Sequence, residues 1–190
     1  MELMSCFSWE GEETLDVGCG GGYMSHALVQ RGARVTGVDI APQALEAARE
    51  VIPQGRFVCA SADELPFSDR RFTRVVCTDV LVHVPNPRAV LAEIGRVLAP
   101  GGIVFVSAIN RNVLATGVMV TLGEGLGFVH KGTHDPCKFL RPAELQAGFE
   151  ALGLTLQQQQ GLGPTGWARG FTFGRHPTAW VMYQQVFSSG

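Results

Sequence analysis

Short apolar runs alternate with helix-period segments from Thr14 to Ser107, and this alternation restricts the chain to few folds. Thr14–Val17, Arg34–Asp39, Arg56–Ala60, Arg74–Thr78 and Ile103–Ser107 read as strands. Between them, Met24, Ala27 and Leu28 share one helix face that stops at Gly32. Pro42 opens a helix to about Glu50 with Leu45 and Ala48 inward. Asn86 reads as an N-cap with Pro87 at the first helical position, where a missing N–H loses no partner. Val90, Leu91, Ile94, Val97 and Leu98 then repeat at helical spacing until Pro100-Gly101-Gly102. A last helix opens at Pro142 with Leu145, Phe149 and Leu152 on one stripe, and Leu154–Gln159 and Trp180–Phe187 read as closing strands. Strands joined by helices pair in parallel, so the expectation is a doubly wound α/β sheet. No repeat or linker divides it, and residues 1–190 read as a single domain.

Composition closes off other classes. Hydrophobic residues make up 46% and charged residues 17%, which excludes a disordered chain. A net charge of −2 gives no global positive field for nucleic acid. The five cysteines are scattered, with no CxxC pair, and suit reduced thiols in a cytoplasmic setting better than a zinc or disulfide framework. The first residues, MELMSCFSWEGEE, lack the basic start and apolar run of a secretory signal.

Leu15-Asp16-Val17-Gly18-Cys19-Gly20-Gly21-Gly22 places a glycine turn between the first strand and its helix. In such sheets ligands sit at the carboxyl ends of the strands. Asp39 ends the second strand, where a carboxylate can accept both ribose hydroxyls, and Asp63 follows the third, within reach of an adenine amino group. Asp16 discriminates between ligands. A dinucleotide site offers its turn and helix N-terminus to a pyrophosphate, which a carboxylate just before the turn opposes. A ligand with an ammonium and a sulfonium suits it better. The spacing also departs from GxGxxG, since position 23 is Tyr and the glycines fall as GxGxG.

LDVGCGGG, GVDI, ADELPF, VLVHVPNP and LAPGG together resemble the successive motifs of class I S-adenosylmethionine-dependent methyltransferases. The resemblance implies a Rossmann-like seven-stranded sheet with the last strand antiparallel. It implies S-adenosylmethionine as cofactor, with Asp16, Gly18, Gly20 and Gly22 around the methionine end. Asp39 and Ile40 would lie at the ribose, Ala62 and Asp63 at the adenine, and Asp79 and Leu81 beside the transferred methyl group.

SAINRN at 107–112, KGTHD at 131–135 and FLRPAEL at 139–145 narrow the resemblance to the O-methyltransferases of ubiquinone biosynthesis. It implies a small phenol, catechol or demethylubiquinol acceptor carrying a polyprenyl tail, with residues 111–138 inserted near the acceptor site. Two departures stand out. That family places some tens of helical residues before the first strand, where this sequence has about a dozen, so a short or missing cap is expected. The family also shows an acidic-x-x-acidic-His pattern that can hold a divalent metal. Here the run is Asp79-Val80-Leu81-Val82-His83, and Val82 removes a hard oxygen ligand, so no metal site is assigned. The sulfonium already activates the methyl group, leaving alignment and proton removal to the protein. His83 and His134, with Asp135 beside it, are the candidate catalytic residues, because imidazole titrates near neutral pH. Each histidine also has a local reading: His83 caps the loop before the Asn86 helix, and His134 braces the loop around Asp135.

Residues 113–129, VLATGVMVTLGEGLGFV, are apolar but broken by four glycines, so they are too interrupted to span a bilayer. They read either as a core helix or as an interfacial segment flanked by Arg111 and Lys131, which gives peripheral membrane contact. The rival functions are a methyltransferase for another small molecule, a non-catalytic cofactor binder in a lipid-biosynthetic complex, and, more distantly, a nicotinamide oxidoreductase.

Overall fold

The computed structural model describes residues 3–117, 135–166, 172–176 and 181–190, with the side chains of 164–166 and 172–176 outside that description. Strands β1 (Glu13–Val17), β2 (Arg34–Asp39), β3 (Arg56–Cys59), β4 (Phe72–Thr78) and β5 (Leu98–Ile109) alternate with helices α1 (Tyr23–Val29), α2 (Pro42–Val51) and α3 (Pro87–Val97). A short helix α4 (Val113–Thr116), α5 (Pro142–Glu150), β6 (Leu154–Gly166), β7 (Thr172–His176) and β8 (Met182–Ser189) complete the described elements. The sheet runs β3-β2-β1-β4-β5-β8-β6-β7. Strands β1 to β5 pair in parallel, and β8 enters antiparallel between β5 and β6. Chain order reverses direction between β1 and β4, which is where open α/β sheets leave a crevice for ligands.

The seven expected strands are present, with the final one antiparallel. Beyond β6, β7 adds an eighth at the edge. The glutamines at 157–160 lie inside a long β6 rather than at a strand end. Pro100-Gly101-Gly102 does not separate helix from strand either. Helix α3 ends at Val97, and β5 starts at once because Leu98 pairs with Phe72 across a register shift before Ile103 meets Arg74.

Both faces of the sheet are covered. Leu45 and Ala48 of α2 pack with Ile52 and Phe57 on one face, beside Leu28 of α1. Val90, Leu91, Ile94 and Val97 of α3 join Leu145 and Phe149 of α5 on the other, against Val75, Val104, Tyr183 and Phe187. Leu152 departs from the expected stripe: it lies past the end of α5 and is 42% exposed. Asn86 Oδ1 accepts from the Ala89 N–H and caps α3 as expected. The residues before β1 pack rather than trail. Leu3, Met4 and Trp9 are buried, and Trp9 lies 4.9 Å from the Phe105 ring.

Candidate functional site

The site begins at the turn from β1 into α1. Gly18 has φ +69°, and a Cβ there would meet Val80 Cγ2 at 2.3 Å, so both backbone and space exclude a side chain. The Gly18 and Cys19 N–H groups donate to the Val38 carbonyl at 2.7 and 3.0 Å, which ties the turn to β2. Gly20 N–H donates to Asp39 Oδ2 at 2.8 Å, and Ala41 N–H to Asp39 Oδ1 at 2.9 Å. The Asp39 carboxylate is thereby fixed in direction at the end of β2, with lone pairs left for a ligand. Gly22 serves packing instead. A Cβ there would stand 3.0 Å from Ala48 Cβ of α2.

Asp16 ends up wholly inside. Ser25 Oγ of α1 donates to its Oδ2 at 2.7 Å, while Oδ1 is buried without a hydrogen-bond partner. Burial pushes its carboxyl up to about 7, the Ser25 hydrogen bonds oppose this, and the Asp39 charge adds to it. Asp79, after β4, has φ +60°. Ser107 Oγ donates to its Oδ1 at 3.0 Å and accepts from its N–H at 3.2 Å, so β5 holds that residue in place.

Two cavities meet along a wall of Gly18, Thr78 and Asp79. One of about 330 Å³ is lined by Asp39, Ile40, Ser61, Ala62, Val80 and His83 as well. The other, about 270 Å³, adds Asp16, Cys19, Tyr23, Met24, Ser107, Leu162, Met182 and Gln184. The first lies at the lower end of the range usual for small-ligand sites and the second just below it. Three carboxylates face them, and no Lys or Arg is among the described lining residues. Ile40 and Tyr23 stand 73% and 82% exposed at the cavity walls, apolar surface available to a bound molecule. Cys19 is no nucleophile here, since burial, then Asp16 and Asp39, push its thiol up to about 12.

The structure thus brings together Asp16, Gly18, Asp39, Ile40, Ala62, Asp79 and His83, with Gly20 and Gly22 shaping the turn. Asp63 sits just outside the lining, where the Ser61 hydroxyl donates to its Oδ1. Leu81 is buried in the core beneath the sheet end, and Val80 takes the wall position instead. Asp135 acts locally, its Oδ1 accepting from Cys137 N–H at 3.0 Å to cap the turn Pro136–Lys138. His134 lies outside the described residues, as do 118–129 of the glycine-broken segment. Of that segment's start, Val113 is 91% exposed and Ala115 is buried.

Several site residues carry no signal that the motifs reveal. Thr78 ends β4 and Ser107 lies two residues before the end of β5, and the rule that ligands sit at the carboxyl ends of strands points to both. Leu162, Met182 and Gln184 come from β6 and β8, and no local motif marks them. Arg96 of α3 is also absent from any motif, yet it organises the loop between β3 and β4. Its guanidinium donates to the Leu65 and Phe67 carbonyls at 3.0 and 2.8 Å, and Glu93 Oε2 accepts from Leu65 N–H at 2.7 Å.

The acidic-x-x-acidic-His pattern fares differently from the glycine turn. Val82 is 6% exposed and packs with Ile109, Ala115, Phe139 and Val181. Among the described residues no three His, Cys, Asp or Glu side chains converge as metal ligands. The side chains described around Asp79 therefore do not fit the metal that the resemblance implies.

Strand order, the glycine turn and the carboxylates at the strand ends define the class I methyltransferase fold. A SAM-dependent methyltransferase of Methanosarcina mazei superposes with a TM-score of 0.75 at 19% identity, covering 100% of this chain and 97% of that one. Residues 15–106 match the family model described as a methyltransferase domain. The ubiquinone biosynthesis O-methyltransferase of Idiomarina loihiensis is 42% identical over 153 residues, 76% of this chain and 62% of that protein. The protein of the same name from Pseudomonas entomophila is 42% identical over 164 residues, 82% of this chain and 69% of its own length. The chain belongs to the ubiquinone biosynthesis O-methyltransferase family, and it spans less than two thirds of the Idiomarina relative's length.

Proposed function

We propose that the chain binds S-adenosylmethionine in the joined cavities and methylates the hydroxyl of a phenolic, catechol or demethylubiquinol-type acceptor carrying a polyprenyl tail. The observation that carries the reading is the set Asp16, Asp39 and Asp79 facing one crevice without a Lys or Arg in its described lining. That charge suits a cofactor bearing an ammonium and a sulfonium, and it opposes the pyrophosphate of a nicotinamide dinucleotide. The orphaned Asp16 Oδ1 is a buried acceptor in want of a donor, which an ammonium group supplies.

When bound, S-adenosylmethionine supplies a methyl group already activated by its sulfonium. The rest falls to the chain's own residues. Asp39 accepts from the ribose hydroxyls, and Ala62 with Asp63 borders the adenine. Asp79, held by Ser107, borders the place where cofactor and acceptor meet. His83, at the cavity wall, takes the acceptor's hydroxyl proton, a role that needs reach and a pKa near neutrality. His134 is the second candidate on sequence grounds. No step is routed through a metal, because the described donor set does not fit one. The 42% identity to the Idiomarina and Pseudomonas proteins supports the acceptor class.

We also propose reversible contact with an anionic membrane through residues 113–129, where a polyprenyl acceptor resides. No helix among the described residues is long and apolar enough to cross a membrane. Calorimetry with S-adenosylmethionine, followed by a transfer assay on a farnesylated catechol, tests the main reading. Binding without transfer would leave a passive cofactor binder.

A further inference from the structure

A larger hollow lies beside the crevice, between α3 and α5, and the crevice residues do not line it. Its volume is about 670 Å³, within the range of small-molecule sites. Its walls are apolar: Leu91, Leu140, Leu145, Ala147, Ala151 and Leu152. Gly148 lets the helices approach, since a Cβ there would stand 2.7 Å from Leu91 Cδ1. Its charged lining is Arg88, at the start of α3, and Arg111, paired with Glu144 at the start of α5.

This charged lining adjoins the site. Pro85 lines the cofactor crevice, and Pro87, two residues on, lines the hollow. Arg111 follows the carboxyl end of β5, and Leu140 N–H donates to the Ile109 carbonyl at 3.3 Å. The hollow therefore starts at the carboxyl edge of the sheet and follows α5 away from it toward Leu152, over about 12 Å of helix. Leu152, 42% exposed at the far end, is apolar surface that a chain-like apolar ligand would cover.

We propose that the α3–α5 hollow holds the polyprenyl tail of the acceptor, with the ring left at the Pro85–Pro87 end facing the crevice. The inference rests on the acceptor class proposed above. A long apolar tail matches these walls along their length, and the continuity with the crevice sets its direction. The site fixes specificity by binding, away from the reacting atoms.

Two measurements test it. A catechol bearing a farnesyl tail with a terminal diazirine is photolysed with the full chain, and labelled peptides are mapped. Labels are expected within residues 147–152, at the end of the hollow away from the crevice. Labels confined elsewhere, or none, would overturn the site whether or not methyl transfer occurs. In parallel, Ala151→Trp and Leu152→Gln are assayed on farnesylated and unprenylated catechol. KM for the farnesylated acceptor should rise by roughly tenfold, the loss of about two buried methylene groups, with the unprenylated acceptor and cofactor affinity unchanged. An equal rise for both acceptors contradicts the inference. So does sedimentation showing a dimer that Leu152→Gln dissociates without any labelling, since a second copy would then fill the hollow. A parent chain that methylates neither catechol yet is labelled in the hollow would sink the proposed reaction and leave the tail site standing.

Discussion

Asp16 carries a pH dependence that follows from its surroundings alone. Its carboxyl rises from 3.8 to about 7, mainly by burial, so the folded chain holds a proton that the unfolded chain releases near pH 4. Stability from this group is present at low pH and is lost as pH rises through the window from about 4 to 7. The loss is on the order of a few kcal/mol. Thermal melts of the ligand-free chain should show that decline, and Asp16→Asn should flatten it. An ammonium beside the ionised carboxylate offsets the cost, so S-adenosylmethionine should raise the melting temperature more at pH 8 than at pH 6. A shift that is the same at both pH values would detach Asp16 from the ligand. Asp39 makes a simpler case. Removing a charge-assisted acceptor costs roughly 1.5–3 kcal/mol, about ten- to a hundredfold in affinity. Calorimetry on Asp39→Ala should find S-adenosylmethionine weakened by that factor, and parent-like binding refutes the ribose assignment. Both carboxylates were legible in the sequence, because a strand end followed by a turn dictates where they point. Leu81 was not, since one position along the loop after β4 decides between core and cavity wall, and Val80 took the wall.

At the scale of elements, the loop from Ser61 to Arg71 owes its course to α3. Arg96 grips the Leu65 and Phe67 carbonyls and pairs with Asp69 and Glu93, and these contacts hold the loop from Leu65 to Asp69 against α3, just after Ala62 and Asp63. Arg96→Ala removes charged hydrogen bonds from carbonyls that lie partly inside. It should lower unfolding free energy by about 1–3 kcal/mol in urea melts and weaken cofactor binding severalfold. A lower midpoint with unchanged affinity would show that the loop's position does not matter to the ligand. Sequence periodicity found α2 and α3 because proline at N1 and apolar spacing both mark them. It could not find Arg96, whose partners lie about thirty positions upstream. Edge strand β7 escaped for a related reason: its pairing is set by β6 and not by any apolar alternation of its own.

Over the whole molecule, the doubly wound parallel sheet was legible because strands with helical crossovers leave few alternatives, while the mouth of the site was not. Its far wall comes from β6 and β8, more than a hundred residues from the glycine turn in sequence, and only tertiary pairing brings Leu162, Met182 and Gln184 there. The proposed membrane contact belongs to this scale too. The chain should co-sediment with anionic liposomes, and binding should fall when Leu122, Leu126 and Phe128 become Ser in a variant that still melts cooperatively. Absence of the parent chain from the liposome pellet would contradict that contact. Methyl transfer itself is tested most directly by following the cofactor's methyl group. The chain is incubated with methyl-labelled S-adenosylmethionine and a farnesylated catechol, and the products are read by mass spectrometry. A single labelled methyl on a ring oxygen is expected, its rate sharply reduced in Asp39→Ala at fixed, subsaturating cofactor. Saturable cofactor binding with no labelled acceptor, for a catechol shown to be bound, would contradict methyl transfer by this chain.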